Sequence, residues 1–260
     1  MPFYFMQTGL DVRGSGIAVL RAGLACLLLG LNMNTEAVEN FDARRAAMVA
    51  EIESMMRETR RETGRAALGD RVAAALLKVD RHRFVPKAQV GQAYDNRPLA
   101  IGEGQTISQP FIVALMTDLM AVGPGDKVLE VGTGSGYQAA VLAEIVRTVY
   151  SMEIVEPLGR AAALALATAG YRNVHTRIGD GYAGWPEEAP FDAIIVTAAA
   201  PYVPQPLVDQ LKSGGRLVIP LGEPGGVQAL TIVEKDARGE VTRRKVLDVR
   251  FVPLTRKPVN

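Results

Sequence analysis

A run of glycines between a predicted strand and a predicted helix is the segment best suited to hold a ligand. Residues 128–143 read VLEVGTGSGYQAAVLA. Glycine lets the backbone approach a ligand closely where a strand ends, and the N-terminus of the following helix offers unpaired N–H groups. The expected binding loop consists of Gly132, Thr133, Gly134, Ser135 and Gly136.

Two acidic positions follow this loop where a nucleoside would need them. Glu153 ends the next predicted strand, about twenty residues after Gly132, where a carboxylate can accept hydrogen bonds from both ribose hydroxyls. Asp180 and Gly181 follow the third predicted strand. That carboxylate and the adjoining N–H groups could meet the amino group of an adenine, although Gly-Asp-Gly by itself is more often a plain turn.

The glycine spacing favours an adenosyl sulfonium over a dinucleotide. The dinucleotide pattern G-x-G-x-x-G would need a glycine where the chain has Tyr137. Glu130, just before the loop, would repel a pyrophosphate but tolerate a cationic amino-acid group. We therefore expect S-adenosyl-L-methionine, which has an ammonium and a sulfonium but no phosphate, and we disfavour a dehydrogenase. A glycine turn needed only for packing is the remaining alternative.

The surrounding sequence alternates between strand and helix patterns, which indicates an α/β fold with a mostly parallel, Rossmann-like sheet. The predicted strands are Lys127–Val131, Thr148–Glu153, Val174–Ile178, Phe191–Thr197 and Arg216–Leu221. The predicted helices between them are Tyr137–Val146, Leu158–Ala169 and Val203–Leu211, the last stopped by Gly214-Gly215. Val227–Glu234 and Val241–Val252 have no helix between them and should form an antiparallel C-terminal edge.

Helices are predicted ahead of the sheet. Phe41–Thr63 has helical spacing with charges of both signs, which is typical of a solvated face, and Asp70–Val79 has Asp70 as its expected N-cap. Tyr94–Gln109 is expected to be a loop, followed by a helix from Pro110 to Met120. We predict one domain over residues 38–260, with helices in 41–122 and a cofactor-binding core in 123–260.

Composition excludes several other classes. The 260 residues have a formal net charge of +1, two histidines and one cysteine, so we expect no nucleic-acid partner, no disulfide framework and no metal site. Residues 1–37 contain the apolar run Ile17–Leu31, whose uncharged part is too short for a membrane span. We expect a cytoplasmic monomer without stable membrane insertion. The alternative is export to the periplasm by this segment acting as a signal peptide.

Several longer motifs resemble those of the protein-L-isoaspartate (D-aspartate) O-methyltransferase family, over residues 41–255. The most specific are Arg81–Pro86, Tyr94–Leu99, the run Gly104-Gln105-Thr106-Ile107-Ser108-Gln109-Pro110, Gly179–Trp185 and Val249–Leu254. The resemblance implies methylation by S-adenosyl-L-methionine of the free carboxylate of isoaspartyl residues in damaged proteins and peptides. The extension before residue 41 and Glu103, where an aromatic or uncharged residue is expected, depart from the family pattern.

The resemblance also assigns roles to individual residues. Ser108 matches the serine placed in the active site and in contact with substrate. Gln105, Thr106 and Ile107 match positions that line the cofactor, Thr106 also faces substrate, and Thr255 matches another substrate-lining position. From the residues alone, Ser108 could instead be only the N-cap of the helix that begins at Pro110.

Two further functions stay open. One is methylation of a small carboxylate or hydroxyl metabolite, and the other is a cofactor-binding protein without turnover. A carboxylate is ionised at neutral pH and needs no general base, which agrees with the lack of His and Cys near the glycine loop. We therefore expect catalysis by orientation and desolvation, with the Ser108 hydroxyl and the N–H groups after it holding one carboxylate oxygen.

Overall fold

A computed structural model describes residues 41–256. The predicted leader, including Ile17–Leu31, lies outside the described residues. Contacts between residues separate the chain into two units, Met1–Arg44 and Arg45–Asn260. The helices are α1 (41–58), α2 (Arg60–Thr63), α3 (Asp70–Lys78), α4 (Pro110–Met120), α5 (Tyr137–Ala143), α6 (Glu156–Thr168) and α7 (Gln205–Asp209). None of the helices in residues 41–256 is long and apolar enough to cross a membrane.

A seven-stranded sheet forms the centre of the second unit. Its strands are β3 (Lys127–Val131), β4 (Thr148–Glu153), β5 (Val174–Ile178), β6 (Phe191–Val196), β7 (Leu211–Leu221), β8 (Gln228–Lys235) and β9 (Val241–Val249). The order across the sheet is β5-β4-β3-β6-β7-β8-β9. Strands β3 to β7 pair in parallel, whereas β8 and β9 pair antiparallel, so the predicted sheet and its antiparallel edge are confirmed.

The strand order reverses direction at β3, which places a crevice at the carboxyl ends of the central strands. From β3 the chain moves outward on one side through β4 and β5, and β6 then pairs on the other side of β3. In open α/β sheets such a reversal is where ligands bind. The strands on both sides are buried, including Leu129, Ile194 and Val218 at 0% exposure, so the crevice has rigid walls.

The prediction of a loop over Tyr94–Gln109 is wrong in part. Residues Leu99–Gly102 (β1) and Gln105–Ile107 (β2) pair as a small antiparallel hairpin. Its turn, Gly102-Glu103-Gly104, has φ values of 98°, 52° and 69°. Left-handed backbone suits glycine, and two glycines around Glu103 permit so tight a turn. The strands are too short for an alternating pattern to reveal them, so sequence periodicity missed them.

Several predicted boundaries also need correction. Asp70 is the first residue of α3 and not its N-cap, which is Gly69 with an extended backbone (φ −64°, ψ 142°). The helix predicted for Val203–Leu211 covers only Gln205–Asp209, and β7 already begins at Leu211. Gly214-Gly215 therefore lies inside a strand, at an irregularity in the pairing of β6 with β7, and does not stop a helix.

Candidate active site

A cleft lies at the carboxyl ends of β3, β4 and β6 and brings together most of the predicted site residues. Its walls are the glycine loop after β3, the end of β4, the hairpin strand β2 and the segment after β9. The residues that line it include Gln105, Thr106, Ile107, Ser108, Gly132, Thr133, Gly134, Ser135, Glu153, Gly181 and Thr255. Residues that were not assigned a role from the sequence, among them Gln138, Met152 and Thr197, line it as well.

The glycine loop adopts a backbone that only glycine accommodates easily. Gly132, Gly134 and Gly136 have φ values of 101°, 53° and 90°. A Cβ on Gly132 would lie 2.4 Å from Oγ1 of Thr197. That hydroxyl donates a hydrogen bond to the Gly132 carbonyl oxygen at 2.6 Å, so it cannot move aside freely. The conformation of the loop therefore depends on having glycine, with no side chain, at position 132.

Glu153 connects the end of β4 to the glycine loop. Its Oε2 accepts a hydrogen bond from the Gly134 N–H at 2.8 Å, and its Oε1 accepts from the N–H groups of Ile154 and Val155, each at 3.0 Å. A carboxylate has about four acceptor positions, so one remains on Oε2, the oxygen nearer the loop. The carboxylate thus positions the loop and can still accept a hydrogen bond from a ligand.

Glu130 does not line the cleft but lies buried beneath it. Its Oε2 accepts a short hydrogen bond from the Ser151 hydroxyl, which also bonds Oγ1 of Thr133 at 2.6 Å, while Oε1 has no partner among the described residues. Burial raises the pKa of Glu130 to about 8. Because the carboxyl group is then mostly neutral at pH 7, the electrostatic repulsion of a pyrophosphate expected from the sequence is weak in this structure.

Asp180 and Gly181 sit differently relative to the cleft. Gly181 lines it, whereas Asp180 does not. Oδ1 of Asp180 accepts the Tyr182 N–H at 2.9 Å, in the manner of an Asx turn. Gly181 has no room for a side chain, since an added Cβ would lie 2.3 Å from Cγ1 of Val131. The part of this turn that lines the cleft is therefore the Gly181 backbone and not the Asp180 carboxylate.

Ser108 directly follows β2 and lines the cleft. The alternative that it caps α4 is wrong, because the N-cap position is Gln109, whose side chain makes no capping hydrogen bond. The N–H groups expected to join Ser108 are mostly occupied. Pro110 has none, and the Phe111 N–H donates to Oδ1 of Asn96 at 3.0 Å. The hydroxyl of Ser108 has no hydrogen-bond partner within residues 41–256, so it can bind a ligand.

The segment after β9 closes the cleft from above. Ala199, after β6, donates its N–H to the Val252 carbonyl at 2.8 Å, and the Leu254 N–H donates to the Ala199 carbonyl at 2.7 Å. The Tyr182 hydroxyl also donates to the Leu254 carbonyl, at 3.3 Å. These bonds place Thr255 on the cleft wall. Residues that are far apart in sequence thus form one rim.

A second cavity of about 530 Å³ adjoins the cleft and is mainly apolar. It shares Thr106, Ser108, Thr197 and Val252 with the cleft. Its other walls come from α1, α4 and β9 and the residues after it, including Met55, Phe111, Ile112, Leu247 and Phe251. Ser108 therefore stands at the junction of a polar cleft and an apolar groove. Sequence patterns could not reveal this groove, because its walls come from separate elements.

Comparison with known proteins identifies the family. The model of the protein-L-isoaspartate(D-aspartate) O-methyltransferase family matches residues 50–258. The chain belongs to this family. It is 61% identical over 208 residues to protein-L-isoaspartate O-methyltransferase 2 of Polaromonas sp., covering 80% of this chain and 99% of that one. It is 58% identical over 219 residues to the protein of the same name from Syntrophobacter fumaroxidans, covering 84% and 89%.

Solved structures agree with this assignment to the isoaspartate O-methyltransferase family. A protein-L-isoaspartate O-methyltransferase superposes with a TM-score of 0.70 at 28% identity, covering 80% of this chain and 65% of the other. A putative protein-L-isoaspartate O-methyltransferase from Plasmodium falciparum, in complex with S-adenosyl-L-homocysteine, gives a TM-score of 0.63 at 29% identity, covering 72% and 91%. The predicted family and fold class are therefore confirmed.

Proposed function

We propose that the protein transfers a methyl group from S-adenosyl-L-methionine to the free carboxylate of L-isoaspartyl and D-aspartyl residues in damaged proteins and peptides. The observation that carries this proposal is the position of Ser108, whose unpaired hydroxyl lies where the glycine-loop cleft opens into an apolar groove. The cleft suits the cofactor and the groove suits a polypeptide. Family membership and the close relatives support the same activity.

The residues of the cleft fit this cofactor in their chemistry. The remaining acceptor position of Glu153 would take a ribose hydroxyl, and the backbone at Gly132–Gly136 would lie against the amino-acid part. Gly181 and the Asp180 turn would flank the adenine, and Gln105–Ile107 would cover the opposite side. Glu130 would act from below through Ser151 and Thr133. The cofactor supplies a methyl group activated by a sulfonium.

The protein contributes position and desolvation, not proton transfer. A carboxylate nucleophile with a pKa near 4 is ionised at neutral pH, so no general base is needed. Within the described part of the chain, no His or Cys lines the cleft. The Ser108 hydroxyl would donate to one carboxylate oxygen and direct the other toward the methyl group, while Thr106 and Thr255 would flank the substrate. The following backbone nitrogen would then attack the ester carbonyl and expel methanol to form a succinimide, whose hydrolysis returns part of the damaged residue to aspartate.

We expect Ser108→Ala to lower kcat/KM for an isoaspartyl peptide by about 10- to 100-fold. This factor corresponds to the free energy that one hydrogen bond to a charged group contributes. The Kd for S-adenosylhomocysteine should change less than about 2-fold, since the backbone at this position is kept. Ser108→Thr, which retains a hydroxyl, is the matched control. Methylation of the isoaspartyl peptide and of its aspartyl twin gives the measurement, and an unchanged kcat/KM for Ser108→Ala would rule out this role.

The groove favours a peptide over a small metabolite as substrate. We expect Leu247→Ala to raise KM by about 5- to 10-fold for peptides with apolar residues beside the isoaspartate, because about 1 kcal/mol of apolar contact is lost. Short polar isoaspartyl peptides should be affected little. Val241→Ala is the control, since Val241 is on the same strand, 40% exposed, but outside the groove. If Leu247→Ala left KM unchanged for all of these peptides, the groove would not bind the residues that flank the isoaspartate.

We further propose that residues 38–260 act as one catalytic domain, as a monomer in the cytoplasm and without a nucleic-acid partner. The near-neutral charge and the family model over residues 50–258 support this reading. Export to the periplasm would depend on residues 1–37. Mass spectrometry of the N-terminus of the mature protein decides between a cytoplasmic and a periplasmic location.

A further inference from the structure

A buried arginine lies directly behind Ser108. Arg81, in a 3-10 helix (Arg81–Phe84), has 0% exposure. Its Nε donates to the Ala93 carbonyl at 2.8 Å, and its Nη2 donates to the Ser108 carbonyl at 2.7 Å. The guanidinium carbon lies 4.7 Å from the centre of the Tyr137 ring, at the start of α5. Arg81 thus contacts both the substrate lip and the helix that follows the glycine loop.

The charge of Arg81 is not neutralised by the protein. Within residues 41–256 no carboxylate forms an ion pair with it, and Nη1 has no hydrogen-bond partner. Burial lowers its pKa to about 10, which still leaves it protonated at neutral pH. An uncompensated buried charge costs several kcal/mol in general, and an apolar side chain could fill the same space without that cost. Only two backbone carbonyls and the Tyr137 ring offset the charge, so an anionic ligand at the Ser108 lip would compensate it further.

The substrate of the proposed reaction brings a negative charge to this place. We propose that Arg81 is a positioning residue that fixes the backbone of Ser108 and makes the lip selective for a carboxylate over a neutral amide. In a site from which water is displaced, a cation behind the lip attracts an anion more strongly than it would in water. Because the same attraction stabilises the carboxylate before it reacts, the benefit appears in substrate binding and little in kcat. This inference rests on the proposed function.

The first experiment separates the charge from the hydrogen bonds. Arg81→Lys keeps the charge but loses the two-pronged hydrogen bonding, and Arg81→Met loses both. We expect Arg81→Met to raise KM for an isoaspartyl peptide by about 10- to 50-fold, with kcat changed less than about 3-fold. The KM of Arg81→Lys should be much closer to that of the wild type than to that of Arg81→Met. The Ki of the neutral isoasparaginyl peptide, used as a competitive inhibitor, should be nearly the same in all three proteins.

Equal KM values for Arg81→Lys and Arg81→Met, or equal loss of binding for the neutral peptide, would show a purely structural role and overturn the proposal. The wild-type protein provides a test that does not depend on the folding of the variants. A peptide with a ¹³C-labelled isoaspartyl carboxyl is titrated in complex with the protein and S-adenosylhomocysteine. The bound carboxyl should have a lower pKa than the free peptide, and an equal or higher pKa would contradict the proposal. If the wild-type protein does not methylate isoaspartyl peptides, the proposed function fails instead.

Discussion

Gly132→Ala is expected to weaken binding of S-adenosylhomocysteine by at least about 100-fold, equivalent to about 2.7 kcal/mol. The added Cβ would lie 2.4 Å from Oγ1 of Thr197, and Gly132 has a φ of 101°, which alanine adopts only under strain. Thr197 cannot simply rotate, because its hydroxyl donates to the Gly132 carbonyl at 2.6 Å. The loop must therefore shift, and the surface that would receive the cofactor shifts with it.

Titration calorimetry with S-adenosylhomocysteine measures this effect, and circular dichroism shows whether the fold persists. Gly125→Ala is the matched control. Gly125 also lies in a turn beside β3, but its φ is not in the left-handed region and no atom lies within 4 Å of an added Cβ. We expect the control to bind like the wild type. An affinity of Gly132→Ala within about 3-fold of the wild type would show that the glycine loop is not the cofactor site.

Glu130→Gln is expected to stabilise the protein at high pH and to have little effect at low pH. In the folded protein, burial raises the pKa of Glu130 from 4.5 to about 8. Between these values the unfolded chain releases a proton that the folded chain keeps, so the wild type loses stability as pH rises from about 4.5 to about 8. Glutamine cannot ionise. The gain for Glu130→Gln should reach on the order of 5 kcal/mol above that window.

Urea unfolding of both proteins at about pH 5, 7 and 9 measures the difference. Glu240→Gln is the control, because Glu240 is exposed on the turn between β8 and β9. The difference in the free energy of unfolding between Glu240→Gln and the wild type should not grow with pH. If the stabilities of Glu130→Gln and the wild type change in parallel across this range, then Glu130 is ionised in the folded state, and the repulsion of a pyrophosphate expected from the sequence would stand.

The sequence allowed prediction of the parts of the fold that depend on local patterns. The apolar runs of β3 and β6 and the glycines between β3 and α5 have strong signals, and the structure confirms these elements. The hairpin at β1 and β2 was missed because strands of four and three residues carry no usable period. The start of β7 was missed because a Gly-Gly pair resembles a helix stop when its strand partner is unknown.

The candidate site, like the fold, could be predicted from the sequence only in part. The glycine loop, Glu153 and the segment at Ser108 could be located from spacing and motif. Arg81 donates a hydrogen bond to Ser108, 27 positions later in the chain. Asn96 accepts one from the Phe111 N–H at the start of α4, 15 positions later. No periodic pattern relates such residues. Arg81 and Asn96 both lie in motifs that carry the family resemblance, but only the three-dimensional structure shows what they contact.

The order in which the rim is made has a consequence for biosynthesis. Residues 252–255 form a wall of the cleft by bonding to Ala199 and Tyr182, and they follow all seven strands of the sheet along the chain. A nascent chain that has completed β3, β4 and β6 already carries the glycine loop and Glu153, yet it lacks this wall. We therefore expect full affinity for the cofactor to be acquired late, after the sheet has been synthesised, and a chain terminated before residue 252 to bind the cofactor more weakly than the complete chain.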